Sequence, residues 1–289
     1  MANSSVGLLG ATSLVGKAAI PLLLAAGRHV IAFSRRQHAG PANGDVTWER
    51  TDAPSGDDGV PIEQWLCVAP IWVLPDYFAL LERRGVRRVV ALSSTSRYTK
   101  LDSSDSSERE VVRRLAEAEA AVQAWAERNQ VEWVVLRPTL IYGYGQDKNV
   151  AEIIRVIRRL GFFPLLGKAM GLRQPIHAED VAQAGIAALD APAAANQAYN
   201  LSGGETLPYR EMVSRIFLAL GRPPRFVGVP LFAITILVNC CRVIPRFRKW
   251  SPSMAQRMNL DMVFDHTPAS RDLGFSPRQF HLSNDDIPA

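Results

Sequence analysis

The stretch Val6-Gly7-Leu8-Leu9-Gly10-Ala11-Thr12-Ser13-Leu14-Val15-Gly16 has the residue types and spacing of an anion site. Val6, Leu8 and Leu9 read as a buried strand, Gly10 as the start of a tight turn, and Lys17 to Ala26 as an Ala/Leu-rich helix. A helix N-terminus offers unpaired N–H groups and the positive end of its dipole, and glycine lets the backbone come close to a pyrophosphate. Dinucleotide sites place G-x-G-x-x-G, or the variant G-x-x-G-x-x-G, after a strand and before a helix. Gly7, Gly10 and Gly16 supply the glycines here, with Ser13 standing in for one of them. Thr12, Leu14 and Val15 complete the expected phosphate loop. An ordinary strand-to-helix turn is the alternative.

The next informative residues are Ser34, Arg35 and Arg36, which end a second apolar strand running from His29 to Phe33. An acidic side chain at that position holds the ribose 2′-OH of NAD, whereas arginine suits the 2′-phosphate of NADP. No Asp or Glu occurs between Gly7 and Asp45. The expected cofactor is therefore NADP(H), clamped by Arg35 and Arg36, with NAD as the alternative. Two solvated arginines at a strand end would carry no such preference. Asp52, after a short third strand from Val46 to Arg50, falls where an adenine would lie. Ala69 and Pro70 close a buried fourth strand that begins at Trp65, and they too are expected against the cofactor.

These residues need a rigid frame. A fifth strand, Val86 to Leu92, ends in Ser93-Ser94-Thr95-Ser96, and strands alternate with helices throughout this half. That rhythm implies an α/β doubly wound parallel sheet of Rossmann type, with ligands at the carboxyl ends of its strands. The chain of 289 residues is 47% hydrophobic and 21% charged, enough for a full core. Its net charge of +5 is modest, and no Lys/Arg block interleaved with aromatics occurs, so nucleic acid is not an expected partner. The basic excess suits phosphates, an anionic substrate or a membrane surface. Cys67, Cys240 and Cys241 are odd in number and lack metal-ligand spacing, so neither a disulfide framework nor a metal site is expected. The first strand starts too early to leave room for a secretion signal, which places the expected location in the cytoplasm.

The glycine turn, Val89-Val90-Ala91-Leu92-Ser93-Ser94-Thr95 and Leu136-Arg137-Pro138-Thr139-Leu140-Ile141-Tyr142-Gly143 together resemble the extended short-chain dehydrogenase/reductases. These include the NAD-dependent epimerase/dehydratase family. The resemblance continues through Pro175-Ile176-His177-Ala178-Glu179-Asp180-Val181-Ala182 and Tyr199-Asn200-Leu201-Ser202-Gly203-Gly204-Glu205 to Asp272-Leu273-Gly274-Phe275-Ser276-Pro277. It implies a dinucleotide domain over residues 1–150 with returning segments 172–202, and a smaller C-terminal substrate lobe over most of 151–289. It also implies that Pro138 and Thr139 lie near the cofactor and Tyr142 near the substrate.

Family members carry a Tyr-x-x-x-Lys pair on a long helix, where the Tyr is the acid/base and the Lys lowers its pKa. Here the long helix is expected from Ser106 to Arg128, and the pair would fall near Val111 and Leu115, neither of them ionisable. Thr95 matches the family's Ser/Thr partner, with Ser94 beside it as a second hydroxyl. Tyr98 and Lys100 follow that strand, and Tyr98 is the candidate substitute acid; lining the cleft is its other role. The substrate class implied is a nucleotide-linked or lipid-linked sugar. The rival reading is a catalytically degenerate NADP(H)-binding protein that senses the cofactor or stabilises a complex.

Further along, Arg155, Arg158 and Arg159 lie on an amphipathic helix, either as diphosphate ligands or as a solvated face. Gly161 to Gly171 reads as an apolar loop. His177 reads as structural rather than catalytic, and Asp180 as a helix-start residue or anchor. Between Val227 and Lys249 an apolar run is flanked by arginines and broken by Pro230, Asn239 and Arg242, too short for a confident span. It is expected to be a buried helix of the lobe; the alternative is peripheral contact with an anionic membrane. The connection after the fourth strand is short, so both monomer and homodimer stay open.

Overall fold

The computed structural model describes residues 5–36, 46–51, 60–99, 105–229 and 257–288. Asp52, Lys100 and the apolar run beyond Val229 lie outside them.

Val6 and Leu8 are fully buried in β1 (Ser5–Leu9), an interior strand of the sheet. Around it stand β2 (His29–Ser34), β3 (Val46–Arg50), β4 (Gln64–Cys67), β5 (Arg88–Leu92), β6 (Glu132–Pro138) and β11 (Gln197–Leu201). Their order is β11-β6-β5-β4-β1-β2-β3, and every pairing is parallel. The order reverses between β1 and β4, which is where doubly wound sheets open a crevice for ligands. Both sheet faces are covered, so the strands read as near-continuous apolar runs.

On one face, Val6 and Leu8 pack with α1 (Leu14–Ala25) and α6 (Ala178–Asp190). On the other, Leu9 and Trp65 pack with Leu115, Val122 and Trp125 of α4 (Ser106–Arg128). Asp105 caps α4 by accepting from the Ser107 N–H at 2.9 Å. A 3₁₀ turn (Ile71–Tyr77) and α2 (Phe78–Arg83) link β4 to β5, and α3 (Ser96–Thr99) follows β5.

The smaller lobe has its own core, built from α5 (Val150–Leu160), α7 (Tyr209–Ala219) and β8 (Phe163–Leu166). Met258, Phe280 and Leu282 from the end of the chain complete it. The expected loop from Gly161 to Gly171 thus contains a strand: β8 pairs in parallel with β13 (Phe226–Val229). A partner so distant in sequence leaves no local turn signal to read. Two-residue pairings, β7 (Ile141–Tyr142) with β10 (Ile176–His177) and β9 (Leu172–Arg173) with β12 (Leu207–Pro208), tie the lobe to the sheet. The last helix, α8 (Thr267–Leu273), brings Leu273 and neighbouring Phe275 onto the main core.

Candidate cofactor and active site

The crevice at the β1–β4 switch is shaped by the turn from Gly10 to Gly16. Gly10 has φ +85°, and a Cβ there would stand 2.4 Å from the Ala69 nitrogen, at the exit of β4. A Cβ on Gly16 would stand 2.3 Å from the Gly10 carbonyl oxygen. Both positions therefore demand glycine, one for conformation and contact, the other for helix-to-turn packing. Ser13 closes the turn: its Oγ accepts from the Gly16 N–H at 3.0 Å and donates to the Val68 carbonyl at 3.4 Å. Thr12 is exposed, Ser13 and Leu14 are half-buried, and Val15 is buried. No acidic side chain occupies the first turn of α1, so its positive end faces outward uncancelled. This cradle fits a dinucleotide pyrophosphate.

Gly7 plays a different part from the one expected of it. It lies within β1, where a Cβ would stand 2.5 Å from the Trp65 ring. Its missing side chain makes room for that indole, and the tight turn itself is Gly10-x-x-Ser13-x-x-Gly16. Beyond the turn, Ala69 is half-buried and Pro70 exposed along the crevice, and Pro138 is buried at the end of β6. Lys17 Nζ donates to Gln146 Oε1 at 2.6 Å, tying the loop after β7 to α1.

The hydroxyls after β5 are not equivalent. Thr95 is buried and its Oγ1 donates to the Pro138 carbonyl at 3.1 Å, which leaves it only lone pairs to offer. Ser94 is half-buried, and its Oγ accepts from the Ser96 N–H at 3.1 Å, so its proton is available. Tyr98 is 43% exposed on α3. Its ring centre lies 5.7 Å from the Arg137 guanidinium carbon and 6.0 Å from that of Arg97.

Both arginines serve Glu119, a buried carboxylate on α4 that also accepts from Ser93 Oγ at 2.5 Å. Burial would raise the Glu119 pKa, but hydrogen bonds from Arg137 and Ser93 outweigh it and hold the carboxyl below its usual value. Burial likewise opposes the charge of Arg137, yet the Glu119 contacts, with a smaller contribution from the Tyr98 hydroxyl, raise its pKa. Val111 and Leu115 stand two turns and one turn before Glu119 on the same stripe of α4, half-buried and buried among apolar side chains. A Tyr-x-x-x-Lys spacing does occur in the sequence, Tyr144 to Lys148, but it lies in the loop between β7 and α5 and not on the long helix. Tyr144 has φ +52° there, and the helical register that pairs such residues is absent from this loop.

Other expected residues take structural roles. Tyr142, placed near the substrate by resemblance, is fully buried in the lobe core and donates to the His281 carbonyl at 3.2 Å. Burial pushes its pKa up to about 12, which removes it as an acid/base near neutral pH. Thr139 spends its hydroxyl on the Gln174 carbonyl. His177 accepts at Nδ1 from the Glu179 N–H at 3.2 Å, capping α6, so Nε2 carries the proton donated to Asp286 Oδ1 at 3.0 Å. Asp180 accepts from Arg278 Nε at 2.8 Å and fixes the returning chain end. Arg155 pairs with Glu152 at 2.8 Å on an exposed face, and Arg158 and Arg159 are exposed beside it.

One neighbour of the site had no sequence signal. Phe264 sits with its ring 6.1 Å from that of Tyr98, and its N–H donates to Gln174 Oε1 at 2.7 Å. Ser202 Oγ donates to the Phe264 carbonyl at 3.0 Å. The chain end is thereby drawn across the mouth of the sheet.

Residues 77–202 match the sequence profile described as "NAD dependent epimerase/dehydratase family". The chain has that family's fold. A solved structure of similar fold is MoeE5 in complex with UDP-glucose and NAD, with a TM-score of 0.68 and 22% identity, covering 96% of this chain and 94% of that one. The UDP-glucose 4-epimerase of Vibrio cholerae is 27% identical over 164 residues, 57% of this chain and 48% of that protein. The mitochondrial NADH dehydrogenase [ubiquinone] 1 alpha subcomplex subunit 9 of Arabidopsis thaliana is 28% identical over 150 residues, 52% of this chain and 35% of that protein. The matched part thus spans about half or less of these curated relatives.

The epimerase/dehydratase fold corrects the cofactor expectation. Four solved structures of this likeness carry NAD, against the NADP(H) inferred from Arg35 and Arg36. Both arginines stand exposed at the end of β2, where the Arg36 N–H donates to Ser34 Oγ at 3.1 Å. Exposed guanidiniums at a strand end are simply well solvated, so their residue type did not decide the cofactor.

Proposed function

We propose that this chain is an NAD-dependent oxidoreductase or epimerase/dehydratase-like enzyme acting on a nucleotide-linked sugar. The observation that carries the reading is the Gly10–Gly16 cradle at the β1–β4 switch, where Cβ atoms would collide with Ala69 and with the Gly10 carbonyl. Gly10, Thr12, Ser13, Leu14, Val15 and Gly16 hold the pyrophosphate, Ala69, Pro70 and Pro138 border the rest of the cofactor, and Ser34 lies at the ribose. NAD, when bound, supplies the site for hydride exchange with a sugar carbon.

Ser94 then donates to the substrate oxygen, and Thr95 holds the Pro138 loop in place through its hydrogen bond. Tyr98 hands a proton to that oxygen or takes it back. Arg137 and Arg97, with guanidinium carbons 5.7 and 6.0 Å from the Tyr98 ring centre, flank that tyrosine in the absence of a lysine on α4. The UDP-sugars named with the compared proteins support the substrate class.

A second reading has its own support: Val111 and Leu115 occupy the stripe where the Tyr and Lys would stand. In that reading the chain binds NAD without turnover and steadies a complex; the Arabidopsis relative is named as a subunit of an NADH dehydrogenase. Titrating NADH by its fluorescence, then assaying a panel of UDP-sugars, separates the two. Binding with turnover supports the enzyme, and tight binding without turnover supports the subunit or sensor. No affinity for NAD or NADH overturns both.

A further inference from the structure

The cationic side chains are distributed unevenly in a way the cofactor site does not use. No Asp or Glu occurs between Glu152 and Glu179, a stretch with five Lys or Arg residues, nor between Glu211 and Asp261, which holds eight. These stretches carry thirteen of the chain's 33 cationic residues and none of its 28 acidic ones, so the rest of the chain is net negative.

The described parts of the two stretches meet at one end of the smaller lobe. Arg222 Nη1 donates to the Ile157 carbonyl at 3.3 Å, joining the turn after α7 to the last turns of α5. Phe163 donates its N–H to the Arg225 carbonyl at 2.9 Å, where β8 and β13 begin to pair. Leu160, Leu218 and Val227 are exposed in this region by 40%, 63% and 47%. Arg158, Arg159, Arg222 and Arg225 are exposed among them. The partners of Arg158 and Arg222 are the main-chain carbonyls of Pro288 and Ile157, which leave the positive charges uncompensated.

We propose that this end of the lobe docks on an anionic lipid bilayer. Leucine and valine beside arginine match the boundary between acyl chains and phosphate headgroups. A nucleic acid would satisfy the arginines and leave the aliphatic side chains in water. The contact proposed is peripheral, made by exposed side chains at one end of the lobe; no helix among the described residues is long and apolar enough to cross a membrane. The proposal is independent of whether the cofactor site turns over a sugar.

The test is co-sedimentation of the full chain with vesicles of phosphatidylcholine alone or mixed with phosphatidylglycerol, at low and at physiological salt. The protein should pellet with the mixed vesicles, stay free of the neutral ones, and release as salt rises. Leu218→Glu and Arg225→Glu should each weaken pelleting by about tenfold or more. Both positions are exposed, so thermal unfolding and NADH affinity should match the parent protein and show that the fold is intact. Arg113→Glu, on the exposed face of α4, should pellet as the parent does. Equal behaviour with the two vesicle types, full pelleting of both lobe variants, or retention on single-stranded RNA without vesicle binding overturns the proposal.

Discussion

Arg137 Nη2 donates to Glu119 Oε2 at 2.6 Å, joining β6 to α4 beside Tyr98. Side-chain exposures of 13% and 1% leave water little access to either charge. Removing one partner strands the other, which costs about 3–5 kcal/mol for a buried pair. Glu119→Ala should therefore lower the denaturant midpoint strongly, and Glu119→Gln, which keeps the acceptor oxygen, should lower it less. Equal, small losses in urea titrations would show that the pair adds little.

Gly16→Val places a branched side chain where even a Cβ meets the Gly10 carbonyl oxygen at 2.3 Å. Overpacking of this kind costs about 1–3 kcal/mol. The turn should shift and NADH affinity should collapse while circular dichroism still reports a folded α/β protein. Unchanged NADH affinity would place the dinucleotide elsewhere.

Tyr98→Phe keeps the ring beside Phe264 and removes the hydroxyl. On a UDP-sugar that the parent converts, kcat should fall about 10²–10⁴-fold, the usual range for loss of a general acid or base. NADH affinity should stay as it was. A variant with full kcat would return Tyr98 to the role of lining the cleft.

Asp286 accepts from His177 Nε2 at 3.0 Å and from the Tyr144 N–H at 3.0 Å. Burial favours its neutral form, but the hydrogen bonds from His177, Ser283 and Tyr144 prevail and hold its pKa well below the ordinary 3.8. A depressed folded-state pKa adds stability above the unfolded value, and that stability is lost as pH falls through the folded one. Thermal unfolding of the parent should therefore weaken progressively below about pH 4. Asp286→Asn should be less stable at neutral pH and flatter across the acid range. Parallel acid profiles for the two proteins would assign the acid sensitivity to other carboxylates.

The sequence by itself determined the sheet and the glycine turn between β1 and α1, because both are local. Strand, turn and helix follow one another within residues 5–25, and the buried runs at Trp65, Val89 and Val134 announce strands covered on both faces. The apolar stripe with Val111 and Leu115 was likewise legible from helical spacing, as was the structural use of His177, whereas the Glu119 ion pairs were not. Only the tertiary structure decided which residues share a place. It put Trp65 in the space left by Gly7, paired Phe163 with Phe226, and laid Phe264 over Tyr98. It turned Tyr142 inward, although its position beside Gly143 reads as a substrate loop. Contacts between distant segments follow from volume and shape at the junction of layers, and a one-dimensional pattern of residue types carries no record of either.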